Sequence, residues 1–320
     1  MPSVNSATGP VATETLGRTL MHEHVFTFHS DIFGDYPWLD EQQFADGAVD
    51  KLQQLQRAGF DTIVDLTVFG LGRNVARVAG IAQRARFNVI VASGLYTYTD
   101  LPTYFRAQLA MSGPSFLEDL FVRELTEGIG ETGIRSAILK CCTDRQGLTP
   151  DVETVIRSVA RAHLRTGAPI STHTDPISET GLIQQEIFRQ EGVDLSQVVI
   201  GHSGDTTDLA YLEKLILAGS YIGMDRFGLD TVLPTRQRCE TIAALAARGY
   251  AGRMVLSHDA HCFSMTWDPG VRARLLPDWH LGFISATVIP ALLDLGVTAG
   301  QVEQMMVANP RDIFATGGPY

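Results

Sequence analysis

The chain has 320 residues, a net charge of -11, 45% hydrophobic residues and 19% charged ones. That balance belongs to a globular protein with chain enough for a large core, and no stretch of about eighteen apolar residues is present to cross a membrane. With no Lys/Arg cluster, the acidic surface suits neither nucleic acid nor an anionic membrane.

The N-terminal stretch lacks the basic start and apolar run of a secretory signal, so the cytoplasm is the expected location. Cys141, Cys142, Cys239 and Cys262 have neither zinc-ribbon nor redox spacing and read as reduced thiols in or near the core.

Strand and helix signals alternate along the chain. The first strand-like run, residues 18–25 (RTLMHEHV), carries His22 and His24 two residues apart, so both imidazoles leave one face of one strand. The helical stretch ADGAVDKLQQLQRAG follows, and then strand-like runs at residues 61–67 (DTIVDLT), 87–95 (FNVIVASGL) and 133–140, the last ending in Lys140. The helix VETVIRSVARAHLRTG leads to a run at 168–173 that ends in His173, and the run at 197–202 ends in His202. The helix TDLAYLEKLILAG precedes runs at 220–225 (SYIGMD) and 253–259, the latter ending in Asp259. The last two helices close on the Gly expected just past a helix end.

Strand and helix repeated in this way imply parallel pairing, and about eight repeats without a linker imply a single (β/α)8 TIM barrel spanning residues 1–320. A doubly wound open sheet is the alternative. The barrel is favoured because the tips of strands can converge on one point only if the sheet closes.

Those tips carry His22, His24, Lys140, His173, His202 and Asp259. Imidazole and carboxylate are ordinary ligands of hydrolytic zinc, iron, cobalt or manganese centres. Lysine is the odd member, because an ammonium cannot ligate a cation. Desolvated beside metal, Lys140 would lose its proton and take up carbon dioxide as a carbamate, whose two oxygens can bridge two ions. His29, His163, His258 and His280 have no partner at ligand spacing, and His163 falls on the surface or packing edge of a helix pattern. Cys141 and Cys142, directly after the lysine, read as small packing groups behind the site.

The segments LMHEHVF, Lys140, STH at 171–173, IGHSGD, GMDRFG at 223–228 and SHDA at 257–260 closely resemble the phosphotriesterase family of the amidohydrolase superfamily. Asp-Arg-Phe-Gly after the seventh strand and Leu-Tyr-Thr-Tyr after the third are most similar to the phosphotriesterase-like lactonases, several of which act on N-acyl homoserine lactones. The resemblance runs from about residue 17 to Asn309 and Pro310. It implies one divalent ion on His22, His24 and Asp259 and a second, more exposed one on His173 and His202, with carboxylated Lys140 and a hydroxide between them. It also places Tyr98 toward the metals and Arg226 beside the leaving side of the pocket. By analogy with that family alone, a homodimer is an expected assembly.

Two dications about 3.5–4 Å apart supply hydroxide near neutral pH and polarise a substrate oxygen. For a lactone, Tyr98 would help the exposed metal to stabilise the carbonyl oxygen, and Asp259 would carry the proton to the leaving alkoxide. Residues 260–278 are too long for an ordinary βα connection and hold Phe263, Met265, Trp267, Leu275 and Leu276, so they read as a pocket wall, with Phe227 and Leu229 lining the same acyl channel. Packing of this loop onto the barrel is the competing explanation. His261 either narrows the pocket, binds substrate or competes for metal.

The favoured function is therefore an N-acyl homoserine lactonase with promiscuous phosphotriesterase activity. A phosphotriesterase or a hydrolase of other lactones or esters is the second reading. A non-catalytic lactone-binding protein is the third, against which stands the lysine, since a closed structural site needs no bridging carbamate.

Overall fold

The computed structural model describes residues 2–35, 41–315 and 318–320. The chain starts with an antiparallel hairpin, β1 (Ser3–Ser6) and β2 (Gly9–Ala12), in register from Ser3 opposite Ala12 to Ser6 opposite Gly9. Eight parallel strands follow: β3 (Thr19–Thr27), β4 (Thr62–Asp65), β5 (Asn88–Gly94), β6 (Ile138–Cys142), β7 (Ile170–His173), β8 (Val198–Ile200), β9 (Tyr221–Met224) and β10 (Met254–Leu256). A further short strand, β11 (His261–Ser264), pairs in parallel with β3 on its other side.

The sheet order is β10-β9-β8-β7-β6-β5-β4-β3-β11, every strand beside its predecessor in the chain until β11. That order has no reversal point, which excludes the doubly wound alternative. The two ends of the curled sheet meet where Asp259 N donates to His22 O at 3.0 Å and His24 N donates to Ala260 O at 2.9 Å. The outcome is the expected barrel of alternating strands and helices.

Alternation along each strand separates two cores. Val64, Ile90, Ala92, Ile138, Val199 and Val255 point into the barrel, where Val4 from the hairpin and Ile313 and Phe314 from the last helix close its floor. Ile63, Val89, Val91, Leu139, Ile170, Val198, Ile222 and Leu256 point outward against the helices. The helix Pro150–Thr166 shows how the sequence sets its own ends. Thr149 accepts from Val152 N, Pro150 occupies the first turn where no N–H is needed, and Gly167 at φ 73° donates to His163 O.

Three expectations need correction. The run predicted at 133–140 becomes a strand only from Ile138, because Ile129 N bonds to Ile134 O in a turn, and it continues through Cys142, so Lys140 lies inside the strand rather than at its tip. Residues 260–278 are not one loop: β11 and the helix Pro269–Leu275 lie within them. His163 is fully buried, tied to Ala168 O and to the Tyr320 hydroxyl at 2.7 Å each.

Candidate metal centre

β3 carries a register shift against β4 between Leu20 and Glu23. Met21 points into the barrel core, and the bulge lets His22 and His24 turn inward above it. His24 Nε2 lies 3.1 Å and His22 Nε2 3.6 Å from Asp259 Oδ1, so three ligand atoms from opposite ends of the sheet sit within one coordination sphere's reach. Lys140, 1% exposed, brings its Nζ to 3.1 Å from His22 Nε2. The His202 ring stacks on His22 at 4.7 Å between centroids and meets His173 edge-on at 4.5 Å. All six predicted ligands therefore converge on one place at the C-terminal end of the barrel.

What holds the imidazoles is a set of buried acids around them. Asp225 takes His202 Nδ1 on Oδ1 and His22 Nδ1 on Oδ2, both at 3.0 Å, and also accepts from His202 N. Room for this carboxylate exists because position 223 is a glycine, where a Cβ would lie 2.3 Å from Asp225 Oδ2, while glycine at 201 lets that strand end approach Thr172 O, which a Cβ would meet at 1.9 Å. Asp225 is close enough to His22 and His202 to be grouped with them as a ligand. Its oxygens are already committed to both rings, however, which makes it the group that orients them.

The same logic fixes His24. Thr67 Oγ1 donates to Asp65 Oδ1 at 2.5 Å, so its lone pair accepts the proton on His24 Nδ1 at 2.8 Å. Thus His22, His24 and His202 each spend Nδ1–H on an oxygen and turn the Nε2 lone pair to the centre. His173 differs, pairing through Nε2 with Asp144 at 3.6 Å. Burial pushes His22 and His202 below the usual imidazole range and His173 down to about 4, which keeps all three neutral.

Glu23, between the two β3 histidines, points the other way. It is fully buried and accepts from Ser257 Oγ, His258 N, His258 Nδ1 and Ala260 N at 2.7 to 2.9 Å. His258 Nε2 accepts from Ile284 N at 3.0 Å, so the Nδ1–H is the donor to Glu23. This clamp brackets Asp259, which sits at φ 55° in the left-handed region, as does His202 at φ 60°. A non-glycine there is uncommon and costs energy that the surrounding bonds must cover.

Arg226 binds Asp259 Oδ2 at 3.1 Å and Asp205 Oδ2 at 2.9 Å, and Asp205 is held in turn by the fully buried Arg238 at 2.6 Å. Burial favours a neutral Asp259 carboxyl, but the opposite charges around it, with the Arg226 guanidinium in direct contact, outweigh it and hold the group well below the carboxylate range. Tyr98 lies half-buried with its ring 5.3 Å from His173, and its hydroxyl bonds to that of Tyr96. Burial, with Cys142 and Asp144 nearby, raises the Tyr98 phenol, so it stays a donor.

Among the predicted pocket residues, Phe227 is 0% exposed and part of the core, and Phe263 is buried among Phe26, Phe28 and Phe44. Leu229, Met265 and Trp267 are partly open. His261 stacks on His24 at 4.9 Å and meets Trp279 at 5.3 Å, and its buried Nδ1 has no hydrogen-bond partner among the described residues.

The donor chemistry fits a pair of divalent ions. Neutral imidazole nitrogens and an ionised carboxylate face one spot, next to a lysine whose amine meets only uncharged acceptors among the described residues, Thr172 O and His22 Nε2 at 3.1 Å each. Burial pushes the Lys140 amine below its ordinary range. Sequence reading missed Asp225, Asp205, Asp65 and Glu23. Asp225 closes the apolar run SYIGMD just as the ligands close theirs, and that was the available signal. The other three act through hydrogen bonds that no spacing reveals.

A family model described as the phosphotriesterase family matches residues 2–314. A phosphotriesterase homology protein of Mycobacterium tuberculosis is 52% identical over 100% of both chains. An aryldialkylphosphatase of Saccharolobus solfataricus is 35% identical over 95% of this chain and 97% of that protein. The solved structure of the phosphotriesterase from Mycobacterium tuberculosis superposes with a TM-score of 0.95 at 49% identity, covering 100% of both chains.

Proposed function

The chain belongs to the phosphotriesterase family of metal-dependent hydrolases, and from that premise we propose that it is a lactonase that opens N-acyl homoserine lactones in quorum quenching. One observation carries the reading: rings run in contact from His24 through His261 and Trp279 to Trp267, at centroid distances of 4.9, 5.3 and 5.9 Å. A metal ligand is thereby joined, across the buried Trp279, to the partly open Trp267, against which an acyl chain can end while its lactone ring rests at the centre.

His22, His24 and Asp259 would hold one ion, His173 and His202 the other, and zinc, iron, cobalt and manganese all suit such ligands. When bound, the two ions would lower the pKa of a water and polarise the carbonyl. Burial lowers the Lys140 amine, and once deprotonated it would add carbon dioxide and release a proton, leaving a carbamate between the two halves of the site.

The remaining work falls to the chain's own side chains. Asp259, ionised and paired with Arg226, takes the proton lost as water adds to the carbonyl carbon. It then returns that proton to the ring oxygen as the C–O bond breaks, so that a hydroxy acid leaves. Tyr98, kept protonated, donates to the carbonyl oxygen as charge grows there. Asp205, fixed by Arg238, holds Arg226 in place while Asp259 changes charge.

A second reading has its own support, since the Saccharolobus solfataricus relative is named an aryldialkylphosphatase. Attack by water on a phosphotriester uses the same proton acceptor. Proton release by metal-loaded protein, followed by pH-stat, separates the two. Faster turnover of long- and short-chain homoserine lactones than of a dialkyl aryl phosphate or a simple δ-lactone supports the lactonase. The reverse ranking would discard it in favour of the phosphotriesterase.

A further inference from the structure

A cavity of about 220 Å³ lies between β11 and the helices Glu41–Arg57 and Pro269–Leu275. Lys51, Arg272 and His280 reach it, and Phe263, Trp267 and Trp279 wall it. Lys51 Nζ donates to Cys262 O at 2.6 Å, and Arg272 donates to His261 O at 3.2 Å and Trp279 O at 2.7 Å. These bonds cap the free edge of β11, but every acceptor is an uncharged carbonyl.

Among the described residues no carboxylate lies within 4.0 Å of either cation. That is notable in a chain with 36 acidic against 25 basic residues, where Arg73, Arg157, Arg165 and Arg226 all find carboxylates. Burial pushes Lys51 and Arg272 below their ordinary ranges, and Arg272 lowers Lys51 further. His280 is pushed down by burial too, with both cations adding to the effect. Two like charges with no carboxylate in direct contact are unfavourable, Glu23 acting on Arg272 only from farther off, and each still has unused donors.

We propose that this pocket binds a small organic carboxylate, its two oxygens bridging Lys51 and Arg272 and its apolar body resting on Trp267 and Trp279. The Arg272 guanidinium already lies 4.7 Å over the Trp279 ring, leaving its edge for a planar carboxylate. The volume is below the ~300–1,000 Å³ of drug-sized sites, which limits the ligand to a short-chain acid. Because Arg272 also holds His261 O, an occupied pocket would stiffen the strand that sets His261 against His24.

The test titrates hexanoate, acetate and inorganic phosphate into metal-loaded protein and follows thermal unfolding. Hexanoate should raise Tm progressively and more than acetate does, as a ligand of the folded state must. Lys51→Met should lose that rise while keeping or raising the Tm found without anion, since it removes an uncompensated charge. An equal rise in Lys51→Met would place the acid at the metal centre and overturn the proposal, as would no rise in the wild type. A rise from phosphate with none from hexanoate would overturn the organic carboxylate. Should Lys51→Met not fold, Arg272→Gln takes its place. Tryptophan emission reads the wild type directly, because two of the chain's three tryptophans wall the pocket. Emission unmoved by hexanoate would count against the site.

Discussion

Replacing Asp225 by asparagine should weaken one ion and spare the other. Asp225 Oδ1 serves both the backbone N–H and Nδ1 of His202, at 2.9 and 3.0 Å, whereas the shortest contact of Oδ2 is to His22 Nδ1 at 3.0 Å. An asparagine will keep its oxygen where two donors converge and turn its NH2 to His22. His22 must then accept at Nδ1, which moves its proton to Nε2 and removes the lone pair directed at Asp259 and Lys140. Orienting partners of this kind are worth about 10–100-fold in metal affinity, or about 1.4–2.8 kcal/mol at 1.4 kcal/mol per tenfold. Competition with a colorimetric chelator at equilibrium, followed by a metal count, measures it. The ion on the His22, His24 and Asp259 side should leave first. Unchanged affinity, or loss beginning at the His173 and His202 side, would refute the orienting role.

Glu23→Gln leaves Ala260 N or one of the Ser257 and His258 donors facing an NH2, and should cost about 1–3 kcal/mol in urea unfolding of the metal-free protein; an unchanged midpoint would mean that the clamp contributes nothing. Lys140→Ala should lose turnover and release metal, with partial recovery when a short carboxylic acid is added, whereas full activity without additive would end the carbamate proposal. Tyr98→Phe should lower kcat for lactones roughly 10²-fold, the scale of one lost oxyanion donor, while metal content stays at the wild-type level. Metal loss in that variant would instead make Tyr98 structural.

Most of the barrel was legible in the sequence because a closed parallel sheet imposes a strict order: apolar run, helix, apolar run. The six side chains that the fold brings together were legible because polar residues within or just after buried strands interrupt an otherwise apolar pattern. Boundaries were harder. Cys141 and Cys142 extend β6 past Lys140, and nothing in their composition separates a strand end from a strand interior. β11 stayed hidden since its four residues alternate no more clearly than the loop around them, and it forms only because β3 offers a free edge. The roles of Glu23 and His258 were out of reach for a different reason. Their bonds join residues more than 230 positions apart, and only closure of the barrel brings them together.

The central claim is that these side chains are built around two ions. Anomalous diffraction from crystals of the metal-loaded protein, recorded at the absorption edge of the bound metal, tests it directly. The account predicts two peaks, one among His22, His24 and Asp259 and one beside His173 and His202, with added density on Lys140 Nζ between them. A single peak, or a Lys140 side chain ending at its amine between two occupied sites, would contradict it.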